Sequence, residues 1–288
     1  MATLWKYRAQ YIAISPFFIL FAVFGLYPLA FSILLSFNDW AGNGPWTPVG
    51  LANYTSLPSN NQFTAALANS LVYLALGVPC LVISSLVMAV ILNNKRLKYR
   101  GVYRTTMFLP YVTSEIIISI VFLAAFDTRF GMINGMLAWF GLPHVPWLTT
   151  VFWSKVPVMV LFIWSRVGYY LILMIAGLQS ISPEIYEASS IDGATPVQSF
   201  FAITIPMMRG MILFVMVTTT IAVLNLFGPP FILTGGGPQD SSLSLTLLLY
   251  RTAFQWVNYG LASSIAVVIA GITTTIALLQ IRFLKSSE

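Results

Sequence analysis

Apolar residues in this chain neither alternate nor recur at the third and fourth positions; they run on in long blocks. Six blocks reach the roughly 20 residues that a helix needs to cross a hydrocarbon core. They are Ile12–Phe37, Ala65–Leu92, Val102–Phe126, Val156–Leu178, Met207–Leu233 and Leu261–Leu284. Each predicts a membrane-spanning helix, because without water the backbone must satisfy its own hydrogen bonds. The first block follows Lys6 and Arg8, as a signal peptide would, but it is too long for the apolar part of one and lacks a small-residue cleavage site. It reads as a retained anchor helix, kinked near Pro28.

Composition agrees. Of 288 residues, 58% are hydrophobic and 8% charged, with a mean hydropathy of +0.85. Soluble domains average about 25% charged residues, so lipid must meet much of this exterior. The formal net charge of +6 is placed in short loops between apolar blocks, a pattern that sets topology rather than one that grips nucleic acid. With both termini in the cytoplasm, the inner segments hold Lys6, Arg8, Lys95, Arg96, Lys98, Arg100, Arg104, Arg209, Arg282 and Lys285, and the outer loops only Arg129, Lys155 and Arg251. The reading is an all-α membrane protein of six transmembrane helices, a single domain over residues 1–288, with both ends inside.

The outer loops are rich in Gly, Pro, Asn and Trp, as in Asp39–Leu57, with Trp40 and Trp46, and Gly141–Trp147. They fit either an aromatic belt at the membrane surface or a docking face for an external partner. Cys80, the single cysteine, lies in an apolar run and is expected to pack as a small hydrophobe.

The loop over residues 179–206 carries the densest local signals. Ser182–Pro183 places a capping hydroxyl ahead of a proline at the first helical position, and Glu184 and Glu187 sit where the helix dipole favours negative charge. Gly193 can end that helix, and Thr195, Pro196 and Gln198 have the spacing of a capping box that starts another. A helix–turn–helix is therefore expected on the cytoplasmic side, leading through Pro206 into the fifth span.

Within this loop, Glu187-Ala188-Ser189, then Gly193, then Ile203 and Ile205-Pro206 resemble the EAA loop of binding-protein-dependent ABC permeases. Asp192-Gly193-Ala194 and Phe200 resemble the version found in carbohydrate importers; Ser189 stands for the usual second alanine and Ile205 for the usual leucine. Further resemblances follow in order along the chain: Arg104 with Phe108-Leu109-Pro110-Tyr111, Phe130-Gly131-Met132-Ile133-Asn134, Ala176–Ile181, Leu233–Pro238, and Tyr250, Ala253, Phe254, Gly260 and Ala262. The branch resembled is the maltose-permease-like one.

That resemblance implies a type I ABC importer permease fold in the bacterial cytoplasmic membrane. It implies a sugar or sugar-like solute delivered by an extracytoplasmic binding protein, a second permease subunit completing the pore as a heterodimer, and cytoplasmic ATPase subunits, normally two. It also implies that Glu187, Ala188, Ser189, Asp192, Gly193 and Ala194 couple to the ATPase. No G-x-x-x-x-G-K-[ST] phosphate loop occurs, so ATP and Mg are assigned to that partner and no cofactor to this chain. His144, the lone histidine, reads as a loop residue, and neither a metal-ligand spacing nor a nucleophile–base constellation stands out, so the chain is not an enzyme by itself.

Two ionisable residues fall deep within blocks: Glu115 in the third and Arg166 in the fourth. Such residues are costly at the bilayer centre, about 2.5–3.5 kcal/mol on insertion scales. They fit an ion pair that fixes packing, a cavity lining that bonds solute hydroxyls, or both. The fifth block is interrupted at Asn225–Phe231, where Pro229 and Pro230 free backbone carbonyls. The resemblance implies solute contact there, by Asn225, Gly228 and Phe231, with Ser263 on the last span; a kinked helix that only gates is the other reading. The rival function is an ATP-independent secondary transporter or channel, a class often built from paired broken helices, whereas this reading finds one broken helix and a docking loop.

Overall fold

A computed structural model describes residues 7–94 and 97–285. Lys6, Lys95 and Arg96, used in the charge argument, lie outside the described residues, as do the side chains of Leu284 and Lys285. Backbone contacts divide the chain into two units: one takes the chain up to Asn60 with Leu249–Ala270, the other Asn61–Leu248 with the chain from Gly271 onward.

In the first unit, α1 (Arg8–Phe21) and α2 (Tyr27–Leu35) are joined by a π turn over Ala22–Leu26. The turn lies just ahead of Pro28, which lacks the N–H that the Phe24 carbonyl would accept, so the helix widens there. The widening falls where the sequence predicts a kink, near Pro28. A short antiparallel pair, β1 (Asn38–Asp39) and β2 (Thr47–Pro48), precedes α3 (Ala52–Ser56). The Asn53 amide donates to the carbonyls of Ser36 and Asn38 at 2.9 and 3.0 Å, and the Tyr54 hydroxyl donates to Ser36 Oγ at 2.6 Å. Trp40 packs against Trp46 and Tyr259, with ring centroids 6.5 and 5.6 Å away, while the Tyr259 N–H donates to the Trp40 carbonyl at 2.9 Å. These tryptophans thus help build a folded loop after α2.

The second unit contains α4 (Asn61–Asn93), α5 (Arg100–Val112), α6 (Glu115–Ala125), α7 (Met132–Trp139), α8 (Lys155–Gln179), α9 (Pro183–Ile191), α10 (Pro196–Ser199), α11 (Ile205–Met207), α12 (Arg209–Leu224) and α13 (Gly228–Leu233). The chain continues through α14 (Leu245–Tyr250) to α15 (Tyr259–Lys285). Buried Tyr73, Leu81 and Ala89 of α4, Val158, Leu161, Phe162, Leu171 and Met174 of α8, and Val215 and Val223 of α12 form the core. Gly168 lets the backbones of α5 and α8 touch, since a Cβ there would strike the Met107 carbonyl. The outer faces of the same helices are also apolar: Leu76, Ile83 and Val87 on α4 are exposed. Helices apolar all round belong in hydrocarbon or deep in a protein. Cys80 is exposed rather than packed, because it falls between Leu76 and Ile83 on this outward stripe.

Among the described residues, five helical runs are long and apolar enough to cross a membrane: Arg8–Leu35, Asn61–Asn93, Lys155–Gln179, Arg209–Leu233 and Tyr259–Phe283. The sixth exists only as the pair α5 and α6, bent by 97°. The third block is therefore not one straight helix, and counting rise per residue does not place Glu115 in depth. Pro110 costs the helix a donor, the Thr113 hydroxyl takes the Leu109 carbonyl at 2.9 Å, and extended Thr113 (ψ 149°) leads to a fresh start at Glu115.

A buried polar latch fixes the segment after α13. The Asn69 amide donates to the carbonyls of Asp240 and Leu243 at 2.7 and 3.0 Å, the Tyr73 hydroxyl donates to the Ser242 carbonyl at 3.0 Å, and the Leu245 N–H donates to Ser70 Oγ at 3.0 Å. Thr234 Oγ1 and Ser242 Oγ lie 2.6 Å apart. So Thr234–Pro238 is held as a folded turn above α4, which explains its pairing of Gly235 and Gly236 at positive φ (57° and 85°).

Candidate functional site

The helix–turn–helix expected between the fourth and fifth spans is present. Ser182 has extended backbone (ψ 132°) and Pro183 opens α9, which ends at Asp192 ahead of Gly193 at φ 80°. The Ala194 N–H donates to the Ser189 carbonyl at 3.0 Å, closing the turn. The capping box at α10 is complete: the Gln198 N–H donates to Thr195 Oγ1 at 3.3 Å, and the Thr195 N–H to Gln198 Oε1 at 2.8 Å. The Ser182 hydroxyl makes no capping bond, contrary to expectation. The Ile185 N–H it would serve is taken by the Ser182 carbonyl at 3.2 Å. A π turn at Phe200–Thr204 then runs into Pro206, repeating the arrangement seen before Pro28.

Glu187, Ala188, Asp192 and Gly193 are exposed and Ala194 is half-buried, whereas Ser189 is buried. Ser189 Oγ lies 2.7 Å from Ser199 Oγ, so it ties α9 to α10 rather than facing outward. Tyr186 reaches Thr204, oxygen to oxygen, at 3.0 Å, and with Ile185 and Phe200 packs against the core. Sequence reasoning missed Ile191, which is 85% exposed, and also exposed Val197 and Phe201. The signal was available: Ile191 is one helical turn from Glu187 and Ala188, on the same face.

Three predicted pathway residues converge in the second unit. Arg166 on α8 donates to Glu115 Oε1 from both terminal nitrogens, at 3.5 and 3.4 Å. It also donates to Ser165 Oγ at 3.3 Å and lies 4.6 Å from the Phe162 ring centroid. Glu115, the first residue of α6, stands at the break in the third span. Gly228 opens α13 beside it: a Cβ there would lie 3.0 Å from Glu115 Cδ. The Glu115 side chain is 40% exposed and that of Arg166 21%. Together with Pro110, Tyr111, Thr113 and Ser165 they line a cleft of ≈ 80 Å³. Tyr111 stacks on Tyr169 with centroids 4.5 Å apart, an aromatic pair the sequence reading did not single out. The ion pair left open by sequence is thus formed.

The Asn225 amide donates to the Ile221 carbonyl of its own helix at 2.8 Å, and Phe231 stacks on Phe227 with centroids 5.1 Å apart. Both are exposed. Ser263 is buried on α15 within the other unit. The break expected in the fifth span is present at Asn225–Phe227, but it is accompanied by the sharper break in the third, so broken helices alone do not separate the rival readings. Among the described residues, no group of His, Cys, Asp and Glu could hold a metal ion.

Residues 51–285 match the family described as binding-protein-dependent transport system inner membrane component. The lactose transport system permease protein LacF of Rhizobium radiobacter is 35% identical over 273 residues, covering 93% of this chain and 91% of that protein. The arabinooligosaccharides transport system permease protein AraP of Halalkalibacterium halodurans is 34% identical, covering 94% and 86%. A crystal structure of a bacterial ABC transporter involved in import of the acidic polysaccharide alginate matches with a TM-score of 0.86 at 25% identity, covering 99% of this chain and 98% of that one.

Proposed function

This chain belongs to the family of binding-protein-dependent transport system inner membrane components, and from that premise we propose how it moves its solute. It is a multi-pass inner-membrane permease subunit of an ABC importer for sugars, served by a binding protein. We assign it a mono-, di- or oligosaccharide or a related glycoside as solute, a second permease subunit, and cytoplasmic ATPase chains that hold ATP and Mg. Both termini and the 179–206 loop face the cytoplasm, a reading supported by Arg8, Lys98, Arg100, Arg104, Arg209 and Arg282 on that side.

The observation that carries the coupling role is the Pro183–Ser199 helix–turn–helix, which offers Glu187, Ala188, Ile191 and Asp192 outward while Tyr186 and Ser189 hold it from behind. The ATPase grips that outer face. Its closure pushes α9, and Tyr186, Ile185 and Phe200 pass the displacement to the core of α4 and α8. Further along α8, Arg166 meets Glu115 and, beside it, Gly228, so movement of α8 shifts the two helix breaks together. There the Glu115 carboxylate accepts hydrogen bonds from solute hydroxyls, while Arg166 behind it balances the charge; Asn225, Phe231 and Ser263 are further pathway residues. Gly193→Val tests the coupling role. The added side chain has open space but demands positive φ, which costs a β-branched residue at least about 1–2 kcal/mol. The expected result is a permease present in the membrane at normal level that no longer co-purifies its ATPase or supports uptake. Retained co-purification with normal uptake overturns the coupling role.

A further inference from the structure

The segment between α6 and α8 is folded with its polar side inward. Asn134 of α7, 1% exposed, donates from its amide to the carbonyls of Thr128 and Val145 at 3.0 and 2.9 Å. Its Oδ1 accepts from the Val145 N–H at 3.1 Å and the Trp147 indole N–H at 3.0 Å. Trp147 packs on Phe126 and Trp153, with centroids 5.6 and 5.2 Å away. Asp127 closes the entry by accepting the N–H groups of Arg129 and Phe130 at 2.9 and 2.8 Å.

The outward side is the apolar one. Phe130 is 93% exposed, Trp139 84% and Phe140 72%, with Met132, Met136, Leu142 and Phe152 exposed beside them. Met132, Met136, Trp139 and Phe140 follow helical spacing and form one stripe on α7. From Phe130 to Ser154 the sequence contains no Asp, Glu, Lys or Arg.

We propose that α7 lies flat in the outer membrane–water interface, with Met132, Met136, Trp139 and Phe140 seated among lipid headgroups and upper acyl chains. Two observations choose lipid over a protein partner. The chain enters this segment from α6, the second half of the bent pair, whose Ile116, Ile117, Ile120 and Val121 are exposed, and leaves it into the long apolar α8; the stripe thereby continues an exposed apolar exterior. The segment also lacks the formally charged rim of a surface built to bind and release a soluble protein, while Trp and Phe with no charge suit the headgroup boundary. Because Asn134 staples α7 to the rest of the α6–α8 connection, the interface would hold α6, the second half of the broken third span, at fixed depth.

The test uses the assembled transporter in phosphatidylethanolamine–phosphatidylglycerol vesicles. Cys80→Ser provides the background, and bimane is attached to Trp139→Cys or, on the same stripe, Met136→Cys; Asn43→Cys serves as an exposed loop control. At 136 and 139, shallow nitroxide lipids should quench several-fold more than at 43, and aqueous iodide several-fold less, without binding protein present. Iodide quenching equal to that at 43 overturns the proposal. So does protection that arises only when the sugar-loaded binding protein is added, which would make the stripe a protein-docking surface.

Discussion

At Glu115 a single carboxylate joins three elements: it begins α6, accepts from Arg166 of α8 and abuts Gly228 of α13. Glu115→Gln keeps an acceptor for Arg166 but removes the balancing charge. Because the Glu115 side chain is 40% exposed, screening keeps the cost to about 1 kcal/mol, so the complex should assemble and melt within a few degrees of wild type while uptake falls. Normal uptake with unchanged solute preference in that variant removes the pathway role. Asn134 is the converse case, buried and fully bonded. Asn134→Ala strands the Trp147 and Val145 N–H groups, at about 1–3 kcal/mol for each group left unpaired, and hydrogen exchange over residues 126–154 should accelerate. Asp127 has a carboxyl held below its usual range by the N–H groups of Phe130 and Arg129, with a smaller push from the Arg129 charge. Its pKa is lowered on folding, so its contribution is present above the unfolded value of about 4 and is lost as pH falls through the lower folded value. Loosening of this turn, read by exchange, should therefore appear only in strong acid and not between pH 5 and 8.

At the scale of elements, the two helix starts in the 179–206 loop separate sequence signal from realised bond. Thr195→Ala removes a complete capping box and should cost α10 about 1 kcal/mol, with faster exchange of the Gln198 amide and reduced uptake. Ser182→Ala should be nearly silent in both measurements, since its hydroxyl bonds nothing in α9. Both starts set a hydroxyl residue before a proline, but only Thr195 has a glutamine at the third helical position. They differ because a local carbonyl competes for the Ile185 N–H and none competes for Gln198. The same competition decides the third span, where Pro110 lacks a donor, the Thr113 hydroxyl takes the Leu109 carbonyl and the helix restarts after a 97° bend. Within an apolar block that bend had little signature, whereas Pro229-Pro230 announced the break in the fifth.

For the whole molecule, the permease reading makes a topological demand: the 179–206 loop and the Thr128–Trp153 segment must lie on opposite sides of the membrane. Ile191→Cys, in a Cys80→Ser background, should react with an impermeant maleimide in inside-out vesicles and not in intact spheroplasts. Labelling should drop several-fold when the ATPase subunit is bound. Reaction from the outside would reverse the orientation and with it the coupling role. What the sequence alone determined was whatever depends on neighbours along the chain: six apolar blocks, the capping box and turn of the loop, the glycine at positive φ, and the family that its motifs spell. Contacts between distant segments were decided only by tertiary structure. That Arg166 meets Glu115, that Ser189 turns inward to Ser199, that Cys80 faces out, and that the aromatic side of α7 is bare all depend on how helices pack. In a chain apolar on nearly every face, hydrophobicity does not say which side meets protein and which meets lipid; close packing and the pairing of the few polar groups do.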